Sequence, residues 1–251
     1  FELTYDQLNN KKIKHIYCWN KPLAHDKISC IPIGLNYKRQ YNSISKFLEN
    51  QNKDKRNKKL LCINYSPHTN NIRSKLIEKA KLQWNNFCDI VENIDNERVY
   101  KADSCIEGKI KIEVTNPKYY ELISNYKFIL SPPGAGIDCH RTWEACYTGV
   151  IPIVIKSNIS ELYNNLPICV VDSWDIIDEN YLNKKYEEIQ KNRKENKYEI
   201  DKLYLDYWTN KINLQKNKNN INFITYGNDK FKLAKERILK EALHFDVFNN
   251  I

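Results

Sequence analysis

Arg141 and Glu144 stand three residues apart, and His140 and Glu144 four apart, in the run DCHRTWE at 138–144. On a helix those separations share a face. They gather a guanidinium, an imidazole and a carboxylate. A guanidinium grips phosphate oxygens through a planar fork of donors, and a carboxylate one turn on can accept from both hydroxyls of a ribose. Just upstream, Ser131, Pro132, Pro133, Gly134 and Gly136 make a turn of the kind that brings backbone N–H groups close to an anion. Arg73 falls in the first turn of a second expected helix. A cation at a helix N-terminus opposes the macrodipole by about 0.3–1 kcal/mol. Two such arginines, each just after a strand, point to an anion between them, and a diphosphate fits. In the plainer alternative both pair with local carboxylates such as Asp138, and Glu144 pairs with Arg141. His140 also reads as an ordinary half-buried helix histidine, and His68 as an ordinary loop residue.

These residues need a frame, and the flanking patterns supply one. Apolar runs at 60–65, 126–130, 150–155 and 168–171 read as strands. Between them, Asn70 or Asn71 caps a helix with Ile72, Leu76, Ile77, Ala80, Trp84 and Phe87 at helical spacing, and the focal helix opens at Asp138. One or two short strands are expected within 98–114, and a helix from Pro117 through Leu122. Alternating strands and helices predict an α/β fold, a Rossmann-like parallel sheet with helices on both faces. Ligands then bind outside the carboxyl ends of the strands. Four such ends are Ser66-Pro67-His68, Ser131 to Gly134, Lys156-Ser157-Asn158 and Asp172-Ser173-Trp174.

The N-terminal part reads as a helix with a Thr4–Gln7 capping box, then strands at 13–19 and 27–35. Beyond Trp174 two helices are expected. One carries Ile200, Leu203, Tyr207, Trp208 and Ile212, the other Phe231, Ala234, Ile238, Ala242 and Phe245; a last strand is weakly marked at 222–225. The expected division is 1–45, a short N-terminal α/β part; 58–180, a Rossmann-like donor-binding domain; and 181–251, C-terminal helices that pack back on both.

The chain has 251 residues, and 40 basic against 31 acidic side chains give a formal charge of +9, which suits an anionic ligand or surface without naming it. Much of the excess lies at 51–59 and in the Lys/Asn-rich part at 183–220, which read as solvated loops or exposed helix faces. No apolar run is long enough for a membrane-spanning helix, and no signal peptide is visible. The chain begins at Phe1. The expectation is a fragment or a processed form, with location open between the Golgi or secretory lumen and the cytoplasm.

Of the eight cysteines, no pair has CxxC spacing, and neither an HExxH motif nor a His/Cys cluster is present, so no metal site is expected. Cys62 and Cys169 lie in apolar runs and read as small buried hydrophobes. Pairing of Cys88 with Cys105, or of Cys18 with Cys30, stays open. The Asn-x-Ser triplets at Asn64 and Asn158 fall at expected strand ends and are taken as chance matches. The PPGAGID turn lacks the third glycine of a dinucleotide fingerprint and the acidic residue that follows one, which disfavours a nicotinamide enzyme. No GxxxxGK[ST] loop is present.

The segment SPPGAGIDCHRTWEACYTGVIPIV at 131–154 resembles the donor-binding region of exostosin-like glycosyltransferases. The run ELYNNLP at 161–167, Val171 to Trp174, IPIGL at 31–35 and the strand–loop–helix INYSPHTNNIR are similar to neighbouring family elements. The resemblance implies a GT-B-like architecture with a short or truncated N-terminal domain. It also implies a UDP- or GDP-sugar donor as substrate, no tightly bound cofactor, and a glycan or glycoprotein acceptor. By the same resemblance Arg141 lies near the diphosphate, Arg73 is a second phosphate contact and Glu144 meets the ribose or sugar. Ser131, Gly134, Gly136, Asp138 and His140 complete the implied donor site. An inverting transfer needs a general base. His68 and Asp103 are the candidates taken forward, with His25 and Asp26 behind them. Two other readings stand beside this one: an inactive relative that binds a glycan or a partner, and a basic nucleic-acid-binding protein. No nucleic-acid recognition motif supports the second.

Overall fold

The structure, a computed structural model, describes residues 4–21, 23–36, 43–45, 47–48, 58–91 and 117–219. In chain order the regular elements are α1 (Tyr5–Asn9), β1 (Ile16–Cys18), β2 (Ile28–Cys30), β3 (Lys59–Ile63), α2 (Asn71–Gln83), β4 (Cys88–Ile90), α3 (Pro117–Ser124), β5 (Tyr126–Leu130), α4 (His140–Tyr147), β6 (Ile151–Ile155), β7 (Cys169–Val171), α5 (Glu179–Lys194) and α6 (Leu205–Asn219). The strands β1 and β2 pair in parallel as a small two-stranded sheet. The other five form one parallel sheet in the order β4-β3-β5-β6-β7.

The five-stranded sheet is buried on both faces, which is why its strands read as nearly continuous apolar runs. Alternate residues divide between the faces. Leu61, Ile63, Phe128, Leu130, Ile151, Ile153, Cys169 and Val171 pack against Leu76, Ala80 and Trp84 of α2 and Leu182 and Ile189 of α5. Cys62 and Ile129 meet Tyr120 and Ile123 of α3 and Ala145 of α4. Val154 meets Trp143 and Cys146 of α4, with Leu203 and Trp208 from the C-terminal part. Side chains buried as fully as Leu61 or Phe128 each contribute about 1.5–3 kcal/mol. The α/β fold with helices on both faces is the expected one.

The chain lays down β3, steps to one side for β4, then returns to the other side of β3 for β5, β6 and β7. The strand order therefore reverses between β3 and β5. At such a switch point the loops leaving two adjacent strands turn to opposite faces and open a crevice at their carboxyl ends.

Several elements differ from the sequence expectation. The helix α5 was not expected. Asp178 caps it by accepting from the Tyr181 N–H, and it buries Leu182 and Ile189, seven residues apart, under an otherwise polar surface. That narrow apolar stripe is hidden in the Lys/Asn-rich composition. The strand β4 has three residues, too few for a period to show. The stretch Ile200–Leu203 is a 3-10 turn, and helix begins only at Leu205. The focal helix starts at His140 with Cys139 as its N-cap, two residues later than Asp138. The capping box at Thr4 and Gln7 is present. Cys18 and Cys30 are neighbours in the register of β1 and β2, and both are free thiols. The strands expected within 98–114 and at 222–225, the helix at 231–245, and Cys105 lie outside the described residues.

Candidate active site

Two loops border the switch point, 64–70 after β3 and 131–139 after β5. Asn70 joins them. Its Oδ1 accepts from the Ile72 N–H at 3.1 Å and so caps α2, while its Nδ2 donates to the Gly134 carbonyl at 3.1 Å. Arg73, in the first turn of α2, makes a larger brace. Its Nε donates to the Pro133 carbonyl at 2.9 Å, Nη2 to the Pro132 carbonyl at 3.1 Å and to Cys139 Sγ at 3.5 Å, and Nη1 to the Ser66 carbonyl at 3.3 Å. The residue is 5% exposed. Burial, and then the nearby Arg141 charge, push its pKa below the ordinary guanidinium value. These partners are carbonyls and a thiol, so the positive charge stays in place behind the loop.

The glycine turn is built around this brace rather than left open. A Cβ on Gly134 would lie 2.7 Å from Arg73 Nη2, and the Gly134 N–H already donates to the Gly136 carbonyl at 2.9 Å. A Cβ on Gly136 would overlap the Asn20 side-chain amide. The sequence reading took these glycines to admit a phosphate. In the structure they admit two protein side chains.

Arg141, the second residue of α4, is placed differently. Its guanidinium carbon lies 5.5 Å from the centre of the Tyr65 ring, and that of Arg73 lies 5.2 Å from the same ring. Cation–π contacts of this kind contribute about 0.5–2 kcal/mol. Tyr65 is buried, and its hydroxyl donates to the Arg73 carbonyl at 3.2 Å. Burial raises the phenol pKa while the two arginine charges oppose the rise. Arg141 Nε is buried without a partner, and among the described residues the guanidinium has neither a hydrogen bond nor an ion pair. No side chain caps the first turn of α4 either, which adds the positive end of a helix dipole beside it.

Asp138 and His140 turn toward the N-terminal part. Asp138 is 3% exposed. Its carboxylate accepts from the Ile33 N–H at 2.7 Å and from Trp143 Nε1 at 2.9 Å, and its own N–H donates to Asn20 Oδ1 at 2.7 Å. Desolvation raises its pKa, and the N–H groups of Ile33 and Trp143 hold the rise back. His140 Nδ1 lies 2.6 Å from the Gly34 carbonyl oxygen. Lys21 pairs with Glu161 at 3.3 Å, and Asn158 Nδ2 donates to the Lys21 carbonyl. Asn20 follows β1 and Ile33 follows β2, so the carboxyl ends of both sheets converge on the 133–140 loop.

The other predicted residues fall as follows. Ser131 is buried, with its Oγ 2.9 Å from Thr142 Oγ1. Glu144 is 4% exposed and accepts from the Tyr119 hydroxyl at 3.1 Å. His68 is exposed in the 3-10 turn Pro67–Thr69 at the end of β3. His25 and Asp26 precede β2, and the His25 ring accepts from the Lys27 N–H. Asp103 lies outside the described residues. Sequence reasoning did not assign Tyr65 or Asn20 to the site. Tyr65 hides in an apolar run. The signal available for Asn20 is its place just past a strand end.

No family model and no curated protein matches this sequence. Seven chains of solved structures are similar to this one in structure. One belongs to the "Crystal structure of GtfA/B complex", with a TM-score of 0.36 and 12% identity over 77% of this chain and 41% of that one. The chain thus spans about two fifths of that neighbour's length. A likeness this low carries no argument about chemistry. The exostosin-like resemblance rests on the residues alone.

Proposed function

We propose that this protein is a glycosyltransferase that moves a sugar from a nucleotide-diphosphate sugar to a hydroxyl of a glycan or glycoprotein acceptor. The observation that carries the reading is Arg141. It is a cation with no hydrogen bond or ion pair among the described residues, set over the Tyr65 ring at a helix start without a side-chain cap, beside a second arginine whose own hydrogen-bond partners are all neutral. It stands at the switch point of a parallel sheet, where such folds bind ligands.

In this reading the Arg141 fork binds the diphosphate, with the first-turn N–H groups of α4 beside it. Arg73 acts from behind. It does not reach the ligand, but its charge and its hold on the Pro132 and Pro133 carbonyls keep the site positive and shaped. Fixed positive groups aimed at the leaving diphosphate stabilise the charge that grows as the glycosidic bond breaks.

Thermal denaturation with UDP, GDP and their sugars tests this. A ligand that binds the native state at 100 times its Kd stabilises it by about 2.7 kcal/mol. At least one nucleotide is expected to raise the Tm, and Arg141→Ala should abolish the shift while lowering the unliganded Tm by no more than a few degrees. No shift with any of these nucleotides would refute the reading.

A further inference from the structure

We infer that the protein has a second anion site, a phosphate site built from Arg193, Gln190 and Lys58 at the amino edge of the main sheet. It lies at the opposite edge from the candidate active site and does not depend on the glycosyltransferase reading. Helix α5 starts beyond the carboxyl end of β7 and runs back along the sheet, where its Tyr186 ring lies 6.1 Å from that of Phe128 in β5. Gln190 and Arg193 follow Tyr186 at offsets of four and three, so they continue that face of the helix toward the amino ends of the strands. Lys58 immediately precedes β3. Five buried side-chain nitrogen or oxygen atoms lack a hydrogen-bond partner among the described residues, and three of them are Arg193 Nε, Arg193 Nη2 and Gln190 Nε2.

A cation near the end of a helix is ordinary, because it meets the negative end of the dipole. Lys191 and Lys194, in the same last turn, are exposed, as that effect alone would leave them. Arg193 instead buries two N–H donors, which is costly unless something accepts from them. Burial pushes its pKa down, and the groups that oppose the shift are a thiol and two phenols, those of Cys146, Tyr186 and Tyr198, with no carboxylate among them. Burial, and then the Arg193 charge, push the Lys58 pKa down, so the two cations are neighbours. The carboxylates near the end of α5 are engaged elsewhere: Glu188 with Lys185, Glu195 with Lys197, and Glu199 with Lys202. Nε and Nη2 form one edge of the guanidinium, the parallel pair of donors that grips two oxygens of one anion. Gln190 Nε2 offers a donor to a third oxygen, and Lys58 a second positive charge. A phosphate near neutral pH carries close to two negative charges and answers all of these groups. A carboxylate answers only the fork. The three residues are half-buried, so a small anion reaches them from solvent. Free phosphate and the phosphate end of a small ester share this chemistry.

Equilibrium dialysis of the full chain against radiolabelled inorganic phosphate at constant ionic strength tests this, with thermal denaturation beside it. The Arg141→Ala protein should still bind phosphate at this site, with a rise in Tm of about 5–10 °C at 100 times Kd. Adding Arg193→Met should abolish both. Lys58→Gln should weaken binding about tenfold. In phosphate-free buffer Arg193→Met alone should melt close to or above wild type, because an unpaired buried charge is removed. Competition by glucose 6-phosphate at or below the concentration of inorganic phosphate assigns the site to an ester, and weaker competition assigns it to free phosphate. The inference is overturned if Arg141→Ala binds no phosphate, if Arg193→Met retains binding, or if Lys58→Gln leaves the affinity unchanged. It is overturned as well if Arg193→Met melts more than about 5 °C below wild type without phosphate, since the guanidinium then already has an acceptor within the protein. None of these results bears on the nucleotide-induced shift that tests Arg141.

Discussion

Arg73 follows β3 and Arg141 follows β5, each in the first turn of the next helix, and both flank the ring of Tyr65. Arg73 donates to three backbone carbonyls and a thiol, and it is buried. Arg141 donates to no described residue. The two loops hold like residues at like positions, and one arginine braces the loop while the other has no hydrogen bond or ion pair to a described residue. The difference comes from reach. The Arg73 side chain crosses from the β3 side to the back of the Pro132–Pro133 turn, where carbonyls converge. Arg141 starts from the far side of that turn, and its guanidinium comes out over Tyr65.

Breaking the brace should have the largest effect. Arg73→Ala takes its donor from the Pro133 carbonyl, leaves those of Ser66 and Pro132 with only the Thr69 hydroxyl at 3.4 Å and the Cys139 thiol at 3.6 Å, and opens a void, at an expected cost of about 3 kcal/mol or more. Urea denaturation measures it, and nucleotide binding should be lost as well. If Arg73→Ala kept its stability and lost only binding, the assigned roles of the two arginines would be reversed. Gly134→Ala tests the same brace from the other side, since its Cβ would sit 2.7 Å from Arg73 Nη2. A cost of about 1–3 kcal/mol is expected.

Asp138→Asn probes the clasp between the sheets. It should cost about 1–3 kcal/mol and raise amide hydrogen exchange at Ile33. Uniform exchange across residues 19–35 in mutant and wild type would show that the clasp is not what holds them. Arg141→Ala should come last in stability, at a cost of about 0.5–1 kcal/mol from the lost contact with the Tyr65 ring, and first in its effect on binding.

A pH series gives the smallest and most specific test. The folded-state pKa of Asp138 is raised above the ordinary 3.8 by desolvation. As pH rises above 3.8, the unfolded state loses this proton before the folded state does. The native state then binds more protons, so stability falls with rising pH across that window. The wild type should therefore lose part of its advantage over Asp138→Asn as pH climbs through it. A flat difference between the two would mean that burial does not raise the pKa of this carboxyl.

Much of the frame was legible in the residues. Three of the five strands of the main sheet lie within the apolar runs expected for them and β3 begins one residue before its run, because a strand covered on both faces must be apolar nearly throughout. The Asn70 cap and the Thr4–Gln7 box were readable because they are local side-chain-to-backbone bonds. The helix α5 was not, because its apolar stripe is only two fully buried residues wide. The candidate site was read as a set of residue types. Ser131 to Glu144 follow β5 in one loop and the helix after it, Arg73 and His68 follow β3, and Asp103 lies outside the described residues. Its division of labour was not legible. Gly134 and Gly136 were expected to face a ligand, and they face Arg73 and Asn20. Asp138 and His140 were expected on the donor side, and they hold the N-terminal part.

The sequence by itself determined a parallel α/β sheet, a helix bearing His140, Arg141 and Glu144 just past a strand end, and a second arginine just past another. Those are local matters of period, turn chemistry and caps. The tertiary structure decided which of the two arginines spends its donors and which keeps them unbonded among the described residues, that the glycine turn is filled from behind, and that the imidazole is pinned by a carbonyl more than a hundred residues away in sequence. A hydrogen bond is directional and consumes its donor. Which donors remain for a ligand therefore depends on which acceptors the fold brings near, and no local pattern in the chain records that.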